Sequence, residues 1–119
     1  MRLFVTGASG FIGSRFSAMA IEAGHTVEAL VRPTSVGKLP AGVKALVGTL
    51  PYEVPSRAVQ EADVIVHLAA ITTADRAGES VAVNEVGTDY LLRLASTGEH
   101  RPGFLFLSTQ SAHGGNNYA

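Results

Sequence analysis

Cysteine and tryptophan are absent from these 119 residues. Without cysteine there is no disulfide, no thiolate metal site and no cysteine nucleophile. Nor does any apolar run approach the roughly 20 residues of a membrane-spanning helix, and Leu3-Phe4-Val5 is too short for a signal-peptide core. A cytoplasmic protein with no membrane partner is the resulting expectation. Neither sign of charge dominates, with nine basic against ten acidic residues, so no basic stripe awaits nucleic acid and no acidic tail is present. Four histidines, His25, His67, His100 and His113, lack metal-ligand spacing; surface or capping roles are expected for them, and no metal. Lysine is confined to Lys38 and Lys44. The length suits one domain, large enough for a core and small for an enzyme that must hold both a dinucleotide and a substrate.

Glycine, by contrast, is used with purpose. Thr6-Gly7-Ala8-Ser9-Gly10-Phe11-Ile12-Gly13 follows a short apolar run, Arg2 to Val5, and precedes a segment that is apolar at helical spacing. Strand, glycine turn and helix start together form a phosphate cradle. The three glycines fall where a tight turn, a close backbone approach and helix-on-strand packing would each exclude a side chain, and the helix N-terminus offers free N–H groups to a pyrophosphate. The spacing is G-x-x-G-x-x-G rather than G-x-G-x-x-G. No Lys-Ser or Lys-Thr follows the last glycine, so the nucleoside-triphosphate P-loop is excluded.

The chain then alternates strand and helix. Ile12, Phe16, Met19, Ala20 and Ala23 mark the apolar side of a helix from Phe11 to Ala23, closed by Gly24; Thr26 to Val31 is a second strand. A polar loop, Arg32 to Pro40, leads to a third strand at Val43 to Val47. Gly48 to Pro55 is irregular, and Ser56 is placed to cap a short helix from Arg57 to Ala62. Val64 to Ala70 is continuously apolar, as a central strand covered on both faces should be. Val83, Val86, Tyr90, Leu91 and Leu94 mark a long helix ending near Gly98, and Gly103 to Leu107 form a fifth strand. The fold class is therefore α/β, an open, doubly wound parallel sheet of strand order 3-2-1-4-5. Its carboxyl edge gathers Gly7 to Gly13, Val31 to Ser35, Gly48 to Leu50, Ala69 to Thr73 and Ser108 to Ser111, where such sheets bind ligands.

Four segments in order carry a resemblance to the extended short-chain dehydrogenase/reductase family, the NAD(P)-dependent epimerase/dehydratase type. They are the glycine stretch, His67-Leu68-Ala69-Ala70, Asn84-Glu85-Val86-Gly87-Thr88, and Leu107-Ser108-Thr109-Gln110-Ser111-Ala112-His113-Gly114. The resemblance implies a Rossmann fold. It assigns cofactor contacts to Gly7, Ser9, Gly10, Phe11, Ile12, Gly13, Arg32, Thr49, Leu50, Leu68, Ala69, Ala70, Asn84 and Ser108. At the end of the second strand stand Arg32, Thr34 and Ser35 rather than a carboxylate, which favours the 2′-phosphate of NADP, with NAD the alternative. Thr49 occupies a place where the family often has Asp.

The resemblance also implies a catalytic hydroxyl, for which Thr109 is the first choice and Ser111 the second, and a Tyr-x-x-x-Lys pair. No such pair exists here: Ser56 and Leu94 stand four residues after Tyr52 and Tyr90, and Tyr118 is one residue from the end. A tyrosine of pKa about 10 is a poor base near neutrality without a cation beside it. The expected function is the NAD(P)-binding part of an oxidoreductase, epimerase (an isomerase) or dehydratase, moving a hydride between nicotinamide and a hydroxyl- or carbonyl-bearing carbon. The substrate would be a small molecule such as a nucleotide sugar or a ketone/alcohol, and the full-length protein could form a homodimer. A non-catalytic NADP(H)-binding redox sensor or scaffold is the alternative, and a phosphate-binding α/β domain for another nucleotide is a third. Residues 1–119 are accordingly expected to be a dinucleotide-binding domain incomplete at its carboxyl end, leaving Phe104, Leu105 and Phe106 at risk of exposure.

Overall fold

Alternation of apolar side chains on two faces begins with the first strand, β1 (Arg2–Thr6), in which Leu3 and Val5 point one way and Phe4 and Thr6 the other. The computed structural model describes residues 1–49, 53–68 and 87–106. In it β1 leads to α1 (Phe11–Glu22), β2 (Thr26–Val31), a 3-10 helix over Pro33–Lys38, β3 (Lys44–Val47), α2 (Ser56–Glu61), β4 (Val64–His67), α3 (Gly87–Thr97) and β5 (Gly103–Phe106). The five strands are parallel and ordered β3-β2-β1-β4-β5. Parallel neighbours need crossover helices, and those helices bury both faces of the sheet.

On one face Phe4, Leu30 and Ile65 pack with Val59 of α2 and Leu91 and Ala95 of α3; on the other Leu3, Val5, Val27, Ala29 and Val66 pack with Ala20 of α1. The register pairs Thr6 with Leu30 on one side and with His67 on the other, which brings the ends of β1, β2 and β4 to one level. That level is the floor of the ligand edge.

The buried side of α1 departs from the sequence expectation. Gly13, Ser17 and Ala20 face the sheet, whereas Ile12 and Ala23 are exposed and Met19 is 68% exposed. The cause is the closeness of helix to turn: a Cβ on Gly13 would lie 1.8 Å from the Gly7 carbonyl oxygen. Only a stripe of small residues fits against a strand end at that distance, so Ile12 and Met19 turn outward, while Phe16 and Ile21 pack partly buried against the cluster beside the stripe. The helix ends in a Schellman arrangement, with the Gly24 N–H bonded to the Ile21 carbonyl and the His25 N–H to that of Ala20, and Gly24 at φ +93°.

Further corrections are local. Ser56 lies inside α2 rather than capping it; Pro55, with φ −71°, precedes the helix and its carbonyl accepts the Val59 N–H at 3.3 Å. The β4 ladder stops at His67, earlier than its apolar sequence suggests, and Leu68 turns its N–H back to β1. Exposure along β5 falls on Leu105 (53%) and Phe106 (45%), while Phe104 packs partly buried against the first cluster.

Candidate functional site

Gly7 opens the turn after β1 with φ +80°, a conformation that costs a side-chain-bearing residue energy and glycine none. Its carbonyl accepts the Gly10 N–H at 3.1 Å, tightening the turn, and Gly10 then stands as the N-cap of α1 with φ −80° and ψ 176°. The first intrahelical bond of the turn runs from Ser14 N–H to the Gly10 carbonyl at 2.8 Å. The N–H groups of Phe11, Ile12 and Gly13 precede any such partner and point along the helix axis past the turn, where the helix dipole favours an anion. Phe11 is 78% exposed and Ile12 is exposed, so these residues offer backbone donors rather than side chains to the cradle. Arg15 stacks over the Phe11 ring at 5.7 Å, adding a cation at the same helix end.

The three glycines are glycine for different reasons. Gly7 is required by its dihedral angle and Gly13 by helix-strand contact. At Gly10 a Cβ would meet only the Gly7 carbonyl oxygen, at an ordinary 3.4 Å, and its backbone conformation is open to any residue. The described fold therefore gives no reason for glycine at 10. A ligand approaching the backbone there does, and the donors around it fit a pyrophosphate.

Behind the cradle lies a buried polar chain. The Thr6 hydroxyl is 2.7 Å from His67 Nδ1, and His67 Nε2 is 2.9 Å from the Thr88 hydroxyl. The Leu68 N–H donates both to Thr6 Oγ1 and to the Thr6 carbonyl, each at 3.1 Å. The ring is fully buried and packs against Phe104 and Phe106, with centroids 6.2 and 5.4 Å away. Burial pushes its pKa down from 6.5 to about 4, because the charged ring would lose its hydration. His67 is thus neutral at physiological pH and deep inside the fold. The surface or capping role expected of it from sequence is corrected: its neighbours Phe104, Phe106 and Thr6 reach it only through sheet pairing and the chain's return in β5.

Beyond β2 and β3 the edge opens into a cavity of about 410 Å³ lined by Pro33, Val47, Gly48, Thr49, Glu53, Val54 and Pro55. Gly48 fastens to the end of β2 through its N–H and the Val31 carbonyl at 3.0 Å, while Thr49 and Glu53 exchange backbone hydrogen bonds of 3.1 and 2.8 Å. A Cβ on Gly48 would sit 2.1 Å from the Glu53 carbonyl oxygen, so this clasp demands glycine. Arg32 leads into the 3-10 helix beside the cavity, exposed and without an ion-pair partner among the described residues; Thr34 is exposed and Ser35 buried. Glycine cradle, neutral buried histidine and lateral cavity all lie on the carboxyl edge of one parallel sheet.

The family model described as the NAD dependent epimerase/dehydratase family matches residues 3–118. The chain belongs to that family. Among relatives of this epimerase/dehydratase-family chain, dTDP-glucose 4,6-dehydratase of Streptomyces antibioticus is 33% identical over 141 aligned positions, covering 96% of this chain and 39% of the relative. A ketoreductase of Stigmatella aurantiaca acting on 4-hydroxy-2-methyl-3-oxo-4-farnesyl-3,4-dihydroquinoline-1-oxide is 35% identical over 99 residues, 80% of this chain and 30% of the relative. A crystal structure of a short-chain dehydrogenase/reductase superfamily protein from Agrobacterium tumefaciens with bound NAD is 29% identical with TM-score 0.74, covering 92% of this chain and 33% of that one. The chain spans 24 to 39% of the length of the curated relatives it matches.

In this family member Gly7, Ser9, Gly10, Phe11, Ile12 and Gly13 come together as one turn and helix start; Thr49 lines the lateral cavity, and Arg32 precedes its lining residue Pro33. The Leu68 N–H donates to Thr6, and its partly buried side chain packs against the cluster beneath α1. Leu50, Ala69, Ala70, Asn84, Ser108, Thr109 and Ser111 lie outside the described residues. Sequence reasoning missed the joint roles of Thr6, His67 and Thr88. The signal was available in that each belongs to a different one of the quoted motifs, but nothing in the linear order says that their side chains meet.

Proposed function

We propose that residues 1–119 are the dinucleotide-binding part of an NAD(P)-dependent oxidoreductase, epimerase or dehydratase. The observation that carries this is Gly10, a glycine that neither its dihedral angles nor its described neighbours require, at the mouth of a helix whose first N–H groups have no backbone partner among the described residues. In this reading the N–H groups of Phe11, Ile12 and Gly13 hold the pyrophosphate, and the cavity beside Gly48 and Thr49 receives the adenosine end. Arg32 favours a 2′-phosphate and hence NADP; Glu53, the charged residue in the cavity lining, favours ribose hydroxyls and hence NAD. Arg32 is exposed and has no ion-pair partner among the described residues, which supports NADP as the preferred cofactor. The bound nicotinamide would accept or deliver a hydride at C4.

Thr109 is the hydroxyl assigned to orient the substrate oxygen, with Ser111 second. The sequence holds no Tyr-x-x-x-Lys pair, and relatives roughly two and a half times as long support a proton-transfer pair contributed from elsewhere in a larger enzyme. Relatives named as a nucleotide-sugar dehydratase and a ketoreductase support a sugar nucleotide or a ketone as substrate class.

Titration with NADPH and NADH, following nicotinamide fluorescence with ATP as competitor, tests the cofactor. Gly10→Ala should fold as the parent does and lose dinucleotide affinity at least about tenfold, because its methyl group occupies the approach to the backbone. Unchanged affinity in that variant, or displacement of the dinucleotide by equimolar ATP, refutes the assignment.

A further inference from the structure

We propose that His67 is a positioning residue for the cradle, fixing the glycine turn relative to the start of α3 through its two ring nitrogens. The inference rests on the dinucleotide reading for its ligand, whereas the link itself rests on this chain's geometry. Thr6 is the last residue of β1 and the one from which the turn departs; Thr88 is the second residue of α3. Sheet register alone holds Thr6 opposite His67. Register does nothing for α3, which the ring reaches at 2.9 Å through Nε2. In a neutral imidazole one nitrogen donates and the other accepts, so the hydroxyls of Thr6 and Thr88 must be oriented in the same sense along the chain. The ordered Thr6 hydroxyl in turn accepts the Leu68 N–H, which pins the departure of the chain from β4 beside the turn.

The composition of the surroundings argues against a packing role alone. Phe104 and Phe106 flank the ring, and Phe4 and Ile65 belong to the same sheet face, so an apolar ring would satisfy the space at less desolvation cost. An imidazole is explained there by its two hydrogen bonds. These join three segments from distant parts of the sequence, and the cradle's width is what they jointly define.

The test uses the whole 119-residue chain with two readouts: amide hydrogen exchange without ligand, and NADPH and NADH titration. Thr88→Val cuts one end of the link, and Thr88→Ser keeps the hydroxyl. Thr88→Val should speed exchange of the Leu68 amide and weaken dinucleotide binding about three- to tenfold, the scale of one neutral hydrogen bond. Thr88→Ser should restore both. His67→Phe should reproduce the loss, and adding Thr88→Val to it should cost nothing more, since both cut the same link. Losses that multiply in the double variant, or a Thr88→Val chain that matches the parent in both readouts, overturn the proposal. Should His67→Phe fail to fold, the Thr88→Val and Thr88→Ser pair decides alone. A parent chain that binds neither dinucleotide, with Leu68 exchange responding as expected, overturns the dinucleotide reading and the cofactor role of His67 together, while unresponsive exchange overturns the link itself.

Discussion

Acidification should destabilise this protein through His67. The ring is held neutral by burial, with a pKa near 4 instead of 6.5, and the groups that meet it, Thr6 from β1, Thr88 from α3 and Phe104 and Phe106 from β5, carry no charge. Between these two values the unfolded chain binds a proton at this position and the folded chain does not. Stability is therefore greatest above pH 6.5, falls as pH drops towards 4, and levels off below it. Each pH step in that window removes about 1.4 kcal/mol, giving a total of about 3 kcal/mol. Against the 5–15 kcal/mol of a typical domain this is a large share. Urea unfolding at a series of pH values from 7.5 to 4.5, roughly spanning the titration window, measures the slope. Carboxylates also titrate at the lower end, so the comparison is with His67→Gln, in which only the imidazole contribution disappears. The parent should lose about 2 to 3 kcal/mol more than the variant over that span. An identical pH slope in both proteins, or a His67 ring signal titrating near 6.5 in the folded state, would refute the reasoning.

Other consequences follow from single side chains. Gly13→Ala should unfold the chain or cost more than about 3 kcal/mol, because the new Cβ would sit 1.8 Å from one backbone oxygen and 2.6 Å from a carbonyl carbon; thermal melting decides, and a stable variant would contradict the packing of α1 on the turn. Ser17 is fully buried and its hydroxyl has no hydrogen-bond partner among the described residues, so Ser17→Ala should leave stability unchanged or raise it by about 1 kcal/mol in the same assay. Arg32→Glu should weaken NADPH more than NADH in fluorescence titration, and equal losses would end the case for a 2′-phosphate contact.

The sequence by itself determined the order of elements and the ligand edge. Parallel order 3-2-1-4-5 follows from alternation of short apolar runs with helical stretches, and the spacing of Gly7, Gly10 and Gly13 between a strand and a helix announces the cradle. Which side of each element faces inward was settled by packing. Hydropathy placed Ile12 and Met19 beside Ala20 on the buried side of α1; Ala20 is there, but the contact between Gly13 and Gly7 puts Gly13 and Ser17 beside it instead of the two larger side chains. Position 67 is the clearest case. One histidine in a linear sequence reads as a polar surface residue, since its burial depends on Thr6, Thr88, Phe104 and Phe106, which lie between 21 and 61 positions away along the chain. Local spacing encodes turns and helix starts; a buried hydrogen-bonded ring is a property of register and packing, and exists only once the strands have paired.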